Sequence, residues 1–338
     1  MSYVSHKPPS LAQTPWREQL RRAYTDPNAL LTDLGLNTSL DTPTRWGPLS
    51  MRVPKALAQR IRPNDPKDPI LQQILPSEEE TQAKPGFSHD PVGDRASRRA
   101  KGVLHKYQGR ALLVTTGACA VHCRYCFRQN FSYAADYIGK GENIAALEYV
   151  ASTPSIHEII LSGCDPLMLP TRALKELTES IKMIPHIRTL RIHTRMPVVL
   201  PDRVTQSLMD WLAGLPWPVV IVIHANHAYE FDDSVDEAMA HLRSTGAHLL
   251  NQAVLLQGIN DTDHALQALM MRSFQSGVLP YYLHKLDPVV GAHRYEVDRQ
   301  KMSELMESLR TNLSGYLVPK LVQEIAGAFS TLPLPAPP

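Results

Sequence analysis

Residues 111–126 read ALLVTTGACAVHCRYC. An apolar, β-branched run, Ala111–Thr116, stops at Gly117, and cysteines follow at 119, 123 and 126. Branching at Cβ suits a pleated strand better than a helix, so the run is predicted to be a strand with the cysteines on the loop at its carboxyl end. The pattern then repeats. Apolar runs at Glu158–Ser162, Thr189–His193, Val219–His224, Leu249–Leu256 and Val278–His284 alternate with amphipathic stretches at Asn143–Ala151, Arg172–Met183, Arg203–Leu212, Ser234–Arg243 and His264–Gln275. A last amphipathic stretch, Arg299–Arg310, follows the sixth run. Six strand-then-helix units in one direction predict a parallel α/β sheet with right-handed crossovers. Periodicity leaves a doubly wound sheet and a partial barrel both open. In either, active groups belong at the carboxyl ends of the strands, where the cysteine loop is placed.

Outward from this array the chain changes character. Residues 1 to about 105 are rich in proline, with helical pieces expected at Thr14–Tyr24 and Lys55–Ile61. Pro63, Pro66, Pro69 and Pro76 punctuate a loop-rich stretch before the acidic Glu78–Glu80, and the basic run RASRRAK (95–101) reads as a solvated loop. Ser330–Pro338 reads as an extended or disordered tail. The net charge of +2 supplies no electrostatic argument for nucleic acid or anionic membrane. No apolar run reaches the length of a membrane span, and MSYVSHKPPS at the start lacks a hydrophobic signal core, so a cytoplasmic enzyme is expected.

Three of the four cysteines fall within eight residues, which suggests metal in a reducing compartment rather than a disulfide scaffold. Three thiolates on a short loop suit three irons of a [4Fe–4S] cubane, leaving the fourth iron open to a small molecule. A zinc site of three cysteines with His122 is the alternative, although no second C-x-x-C knuckle is present.

The C-x-x-x-C-x-x-C spacing, with Tyr125 before the last cysteine, resembles the signature of the radical S-adenosylmethionine (SAM) superfamily. Further segments are similar to the lysine 2,3-aminomutase family, and in particular to its bacterial branch that makes β-lysine for elongation factor P. They are LHKYQGRALLVTTGACAVHCRYCFR (104–128), LSGCDPL (161–167), RIHTRMPVVLP (191–201), HANH (224–227), LLNQAVLLQGIND (249–261), PYYLHKLD (280–287) and SGYLVPKL (314–321), with PGFSHDP (85–91) upstream. The resemblance implies a radical SAM partial (β/α)6 TIM-like barrel at 105–312, a mainly helical N-terminal extension at 1–104 and a C-terminal segment at 313–338.

The resemblance also implies roles. Cys119, Cys123 and Cys126 would carry the cluster, and Ser162, Gly163, His224 and Gln252 would contact SAM. Lys106 and Arg110 would hold the phosphate of pyridoxal 5′-phosphate (PLP). Arg128 would grip the substrate carboxylate, with Asp287 and Glu324 taking the ε-ammonium of L-lysine. The implied partners are an external electron donor such as flavodoxin or ferredoxin, and elongation factor P with its lysyl ligase.

Two positions depart from the family pattern. Cys164 stands where the family has the second glycine of Ser-Gly-Gly-Asp-Pro-Leu, and it is expected near SAM without ligating iron. The family's Schiff-base lysine falls on Thr331, and no lysine follows Lys320. Threonine cannot form an imine, so PLP is expected to bind non-covalently through its phosphate; the alternatives are that Lys320 substitutes as the amine or that the chain is impaired in PLP chemistry. These departures keep open a radical SAM enzyme acting on another amino acid or without PLP, and a non-catalytic sensor that binds cluster and SAM.

Overall fold

The computed structural model describes residues 15–37, 50–131, 137–138 and 143–334. The first ten residues, Thr14 and Pro335–Pro338 lie outside the described residues, so the expectations placed on them are not addressed. Among the described residues, ten strands form one sheet whose spatial order follows the sequence. They are β1 Arg98–Ala100, β2 Val103–Tyr107, β3 Arg110–Thr116, β4 Glu158–Gly163, β5 Thr189–Thr194, β6 Val219–Ile223, β7 His248–Val254, β8 Leu279–His284, β9 Lys320–Gln323 and β10 Leu332–Pro333. From β3 to β9 every neighbouring pair is parallel. A doubly wound sheet would reverse its strand order part-way, and this one never does, so the winding is that of a partial TIM-like barrel.

The six predicted strands are β3 to β8. Four strands were not anticipated. RASRRAK is not a loop: Arg98–Ala100 pairs antiparallel with β2, which in turn pairs antiparallel with β3. The sheet therefore runs unbroken through positions 104 and 105. At the other end β9 joins parallel to β8, and Leu332–Pro333 pairs antiparallel with β9, which gives part of the proline-rich tail a fixed place.

The crossover helices start where side chains can satisfy their first N–H groups. Thr205, Asp232, Thr262 and Asp298 each accept a bond from the backbone N–H three residues on, opening helices at Gln206–Ala213, Asp233–Ser244, Asp263–Gln275 and Arg299–Asn312. The helix Thr171–Lys182 buries Leu174, Leu177, Thr178 and Ile181, one stripe at helical spacing, towards the sheet. In β5 burial alternates strictly, with Leu190, Ile192 and Thr194 packed away and Arg191 and His193 turned to the opposite face.

In the N-terminal region, helices at Trp16–Arg21, Pro27–Asp33, Lys55–Ala58 and Pro69–Ile74 precede the sheet. Glu80, noted from sequence only as one of the acidic residues Glu78–Glu80, is buried and bridges the fully buried Arg124 of the cysteine loop through Nε at 2.9 Å. The backbone N–H of Arg124 also donates to the Gln73 carbonyl. Removing one partner from such a buried pair costs about 3–5 kcal/mol, so this region holds the cysteine loop in place.

Candidate active site

A cavity of about 670 Å³ lies inside the barrel and opens at the carboxyl ends of the parallel strands, within the ~300–1,000 Å³ range of small-molecule sites. Strand alternation selects what faces it. Arg110 and Leu112 of β3, Ile160 and Ser162 of β4, Arg191 and His193 of β5, Gln252 and Val254 of β7, and Tyr282 and His284 of β8 all line it, two residues apart in each strand. Every site residue expected from sequence lines this one cavity: Cys119, Cys123, Cys126, Ser162, Gly163, His224, Gln252, Lys106, Arg110, Arg128, Asp287 and Glu324. Cys164 and Thr331 line it as well. Lys320 does not; it is exposed at the start of β9, so the structure does not offer it as a substitute amine. Lys106 is the one lysine among the described lining residues.

None of the four cysteines is in a disulfide. The Cys126 N–H donates to the Cys123 carbonyl at 3.2 Å, which curls the loop so that its thiols share the cavity. Burial pushes the Cys126 thiol up to about 12, with the neighbouring Cys123 adding to the effect. Cys119 is raised as well, first by a hydrogen bond with the Cys164 thiol and then by burial. Groups held protonated this way become ligands when a cation replaces the proton. Among the described residues no three His, Cys, Asp or Glu side chains gather closely enough to hold a single ion. A cubane, whose irons each take one thiolate, does not require that. His122 lines the same cavity and is bonded through Nδ1 to the Ser50 carbonyl, an arrangement that leaves Nε2 available and so does not by itself decide between zinc and a cubane.

The Cys164 position has a simple steric account. Gly163 sits at φ +119°, and a Cβ there would meet the Thr116 carbonyl oxygen at 2.8 Å, so glycine is required at 163. Among described non-glycine residues only Asn64 has positive φ, so Cys164 is accommodated without backbone strain. Asp165 then clamps the next strand end: it accepts from Thr194 Oγ1 at 2.7 Å, Arg195 N at 2.8 Å and Met196 N at 3.1 Å.

On the other side, Asp94 organises the cations. It pairs with Lys106 Nζ at 2.7 Å and with Arg128 Nε at 2.7 Å. Burial opposes its charge, yet Arg128 and Lys106 hold its carboxyl below the usual range. Arg110 lies over the Tyr107 ring, 4.2 Å from its centroid. Glu324 accepts from Tyr107 at 2.5 Å and from Thr331 at 2.6 Å, so the end of β9 is linked across to β2. Burial, reinforced by the Glu324 charge, lifts Asp287 to about 7. His193 and His284 are held neutral by burial, His284 at about 4, and the Nε2 atom of each is buried with no partner among the described residues. Two such orphaned donors or acceptors facing a polar cavity fit a polar ligand between them.

Asp94, Arg191, His193, Tyr282 and His284 were not anticipated. The last four share the strand phase of Ser162 and Gln252, a signal that only the register makes usable. Asp94 lies just past the PGFSHDP segment, and nothing in its spacing marks it.

A one-directional parallel barrel, with three thiols on the loop after its first barrel strand and a ligand-sized polar cavity at the strand ends, defines a radical SAM-type enzyme. No family model matches the chain. It is 44% identical over 322 residues to the L-lysine 2,3-aminomutase of Escherichia coli (strain K12), covering 94% of each chain. It is 39% identical over 329 residues to that of Haemophilus influenzae, covering 97% of each. It is 33% identical over 287 residues to that of Clostridium subterminale, covering 85% of this chain and 69% of the relative. The chain belongs to the L-lysine 2,3-aminomutase family. Among solved structures, a radical SAM methyltransferase from Sphaerobacter thermophilus aligns with 65% of this chain and 68% of its own, at 17% identity and a TM-score of 0.45, a likeness too loose to build on. No helix among the described residues is long and apolar enough to cross a membrane.

Proposed function

We propose that this chain is a radical SAM L-lysine 2,3-aminomutase that converts L-lysine to β-lysine. The observation that carries the reading is a single cavity in which Cys119, Cys123 and Cys126, the cations Lys106, Arg110 and Arg128, and the acids Asp287 and Glu324 meet. When bound, a [4Fe–4S] cluster with SAM would supply a 5′-deoxyadenosyl radical, and PLP a carbonyl that engages the migrating nitrogen.

The chain's own residues bind, orient and select. Cys119, Cys123 and Cys126 would carry the cluster. Ser162 and Gly163 at the end of β4, His224 just after β6 and Gln252 within β7 offer polar contacts for SAM. Burial, with Arg195 nearby, lowers His224 to about 3, so it meets the ligand as a neutral ring. Lys106 spends two donors on Val92 O and Asp94, and an ammonium has three, so one remains for a phosphate oxygen beside Arg110. Asp94 would orient Arg128 towards the substrate carboxylate, and a planar guanidinium suits that group. Asp287 and Glu324 would select the ε-ammonium, since two acids in one cavity favour a substrate with a distant positive charge. Thr331, bonded to Glu324, supports a variant of the family scheme in which PLP is held without a covalent tether.

The product would feed a separate ligase acting on elongation factor P in the cytoplasm. A low-potential donor of the flavodoxin or ferredoxin class would supply electrons. The test is anaerobic incubation of cluster-loaded protein with SAM, reductant, PLP and L-lysine, followed by chromatography. β-Lysine that depends on each component supports the reading. 5′-Deoxyadenosine without β-lysine would move the chain to another substrate. Neither product at full cluster occupancy would overturn it.

A further inference from the structure

On the cysteine-loop side of the cavity wall lies a polar network that includes Cys123 and Tyr125 and reaches His224 through Tyr125 Oη at 2.8 Å. Its centre is Arg195, 7% exposed, at the end of β5. Nη1 donates to Cys123 Sγ at 2.7 Å and to Tyr125 Oη at 2.9 Å, while Nη2 donates to Gln73 Oε1 at 2.8 Å and Glu230 Oε2 at 2.7 Å. Glu230 is fully buried and also accepts from Gln73 Nε2 and from the backbone N–H groups of Asn226 and His227. The strand end that carries Arg195 is fixed through Asp165, which accepts its backbone N–H. A buried guanidinium locked on four sides has little freedom to serve a passing substrate. What it touches permanently is a sulfur.

We propose that Arg195 is a positioning residue for electron transfer: by donating to Cys123 Sγ, it sets the reduction potential of the iron–sulfur cluster that this thiolate would carry, with Glu230 limiting the effect. This rests on the cluster reading above. Reduction adds one electron and no proton to the cluster, and the external donor loses one. The added negative charge spreads onto the thiolate sulfurs, so an N–H···S bond and a nearby cation stabilise the reduced form more than the oxidised one. In a buried site the charge is poorly screened, and the influence is correspondingly large. Glu230 acts on the same sulfur with the opposite sign from further away. The two residues therefore make opposed contributions, which a purely structural role would not.

The experiment is a dithionite titration of reconstituted, full-length protein with mediators, followed by electron paramagnetic resonance of the reduced cluster. For Arg195→Gln, the ratio of reduced to oxidised cluster at the wild-type midpoint should fall about tenfold, which for one electron is about 59 mV. Arg195→Lys keeps the charge but loses the fork, so its ratio should fall less. Glu230→Gln leaves the guanidinium uncompensated, and its ratio should rise. Arg195→Gln within twofold of wild type, or Glu230→Gln shifting in the same direction as Arg195→Gln, overturns the proposal. Should Arg195→Gln take up no iron, a Glu230→Gln ratio that fails to rise overturns it alone. Wild-type protein that forms no cluster would instead refute the underlying cluster reading.

Discussion

Asp287→Asn probes substrate choice most directly. Burial and the Glu324 charge lift the Asp287 carboxyl to about 7. Below that pH the group is neutral, and above it a carboxylate faces the cavity. A hydrogen bond to a charged group is worth about 1.5–3 kcal/mol, and about 1.4 kcal/mol is tenfold in affinity. At pH 8 the variant should therefore bind L-lysine about ten- to a hundredfold more weakly. At pH 6 only about a tenth of wild-type Asp287 is ionised, so wild-type affinity should drop about tenfold between pH 8 and pH 6 while the variant stays flat. Stability runs the other way: with the folded pKa raised above the ordinary carboxylate value of 3.8, this group favours the fold at low pH, and the contribution is lost as pH rises through about 7. The assay is anaerobic calorimetry of L-lysine into cluster-loaded protein at pH 6, 7 and 8. SAM cleavage without lysine serves as a control that should not change. Equal lysine affinity in variant and wild type at pH 8 would refute the assignment of this residue to the ε-ammonium.

Each of Cys119→Ala, Cys123→Ala and Cys126→Ala should abolish the visible absorbance of the reconstituted cluster, and stoichiometric zinc without iron in anaerobically purified protein would contradict that. Cys164→Gly removes the thiol that bonds Cys119 and should keep full iron content, with SAM bound at least as tightly by calorimetry; loss of iron would show that this thiol is needed. PLP should dialyse away and resist fixation by borohydride, because Thr331 supplies no amine. Peptide mass analysis decides this, and a pyridoxyl adduct at full occupancy on Lys106, Lys320 or any other single lysine would count against it.

Much of this molecule is local and was readable as such. Strands β3 to β8 announce themselves as β-branched runs followed by amphipathic helices, and the cysteine triplet is a covalent spacing that folding cannot alter. The motif segments contain every expected site position except Glu324, which follows the last of them, and all of these residues line one cavity. Four strands escaped for a common reason: Arg98–Ala100, Lys320–Gln323 and Leu332–Pro333 are short, and together with Val103–Tyr107 they are extended because a neighbour pairs with them rather than because of their own composition.

What the tertiary structure alone decided is which distant groups meet, and in what charge state. Sequence could not choose between a doubly wound sheet and a partial barrel, because both use the same units; strand order, a non-local property, made the choice. Asp94 next to Lys106 and Arg128, Glu80 against Arg124, and Glu230 with Gln73 around Arg195 join residues from 12 to 157 positions apart. No periodicity encodes such pairs, since burial makes each charge depend on a partner that the chain must fold to bring. The sequence alone determines the chemistry available: thiols, cations and acids at fixed positions along the chain. Only the fold desolvates them together and so fixes which carboxyl sits near 7, which imidazole stays neutral and which sulfur faces a cation.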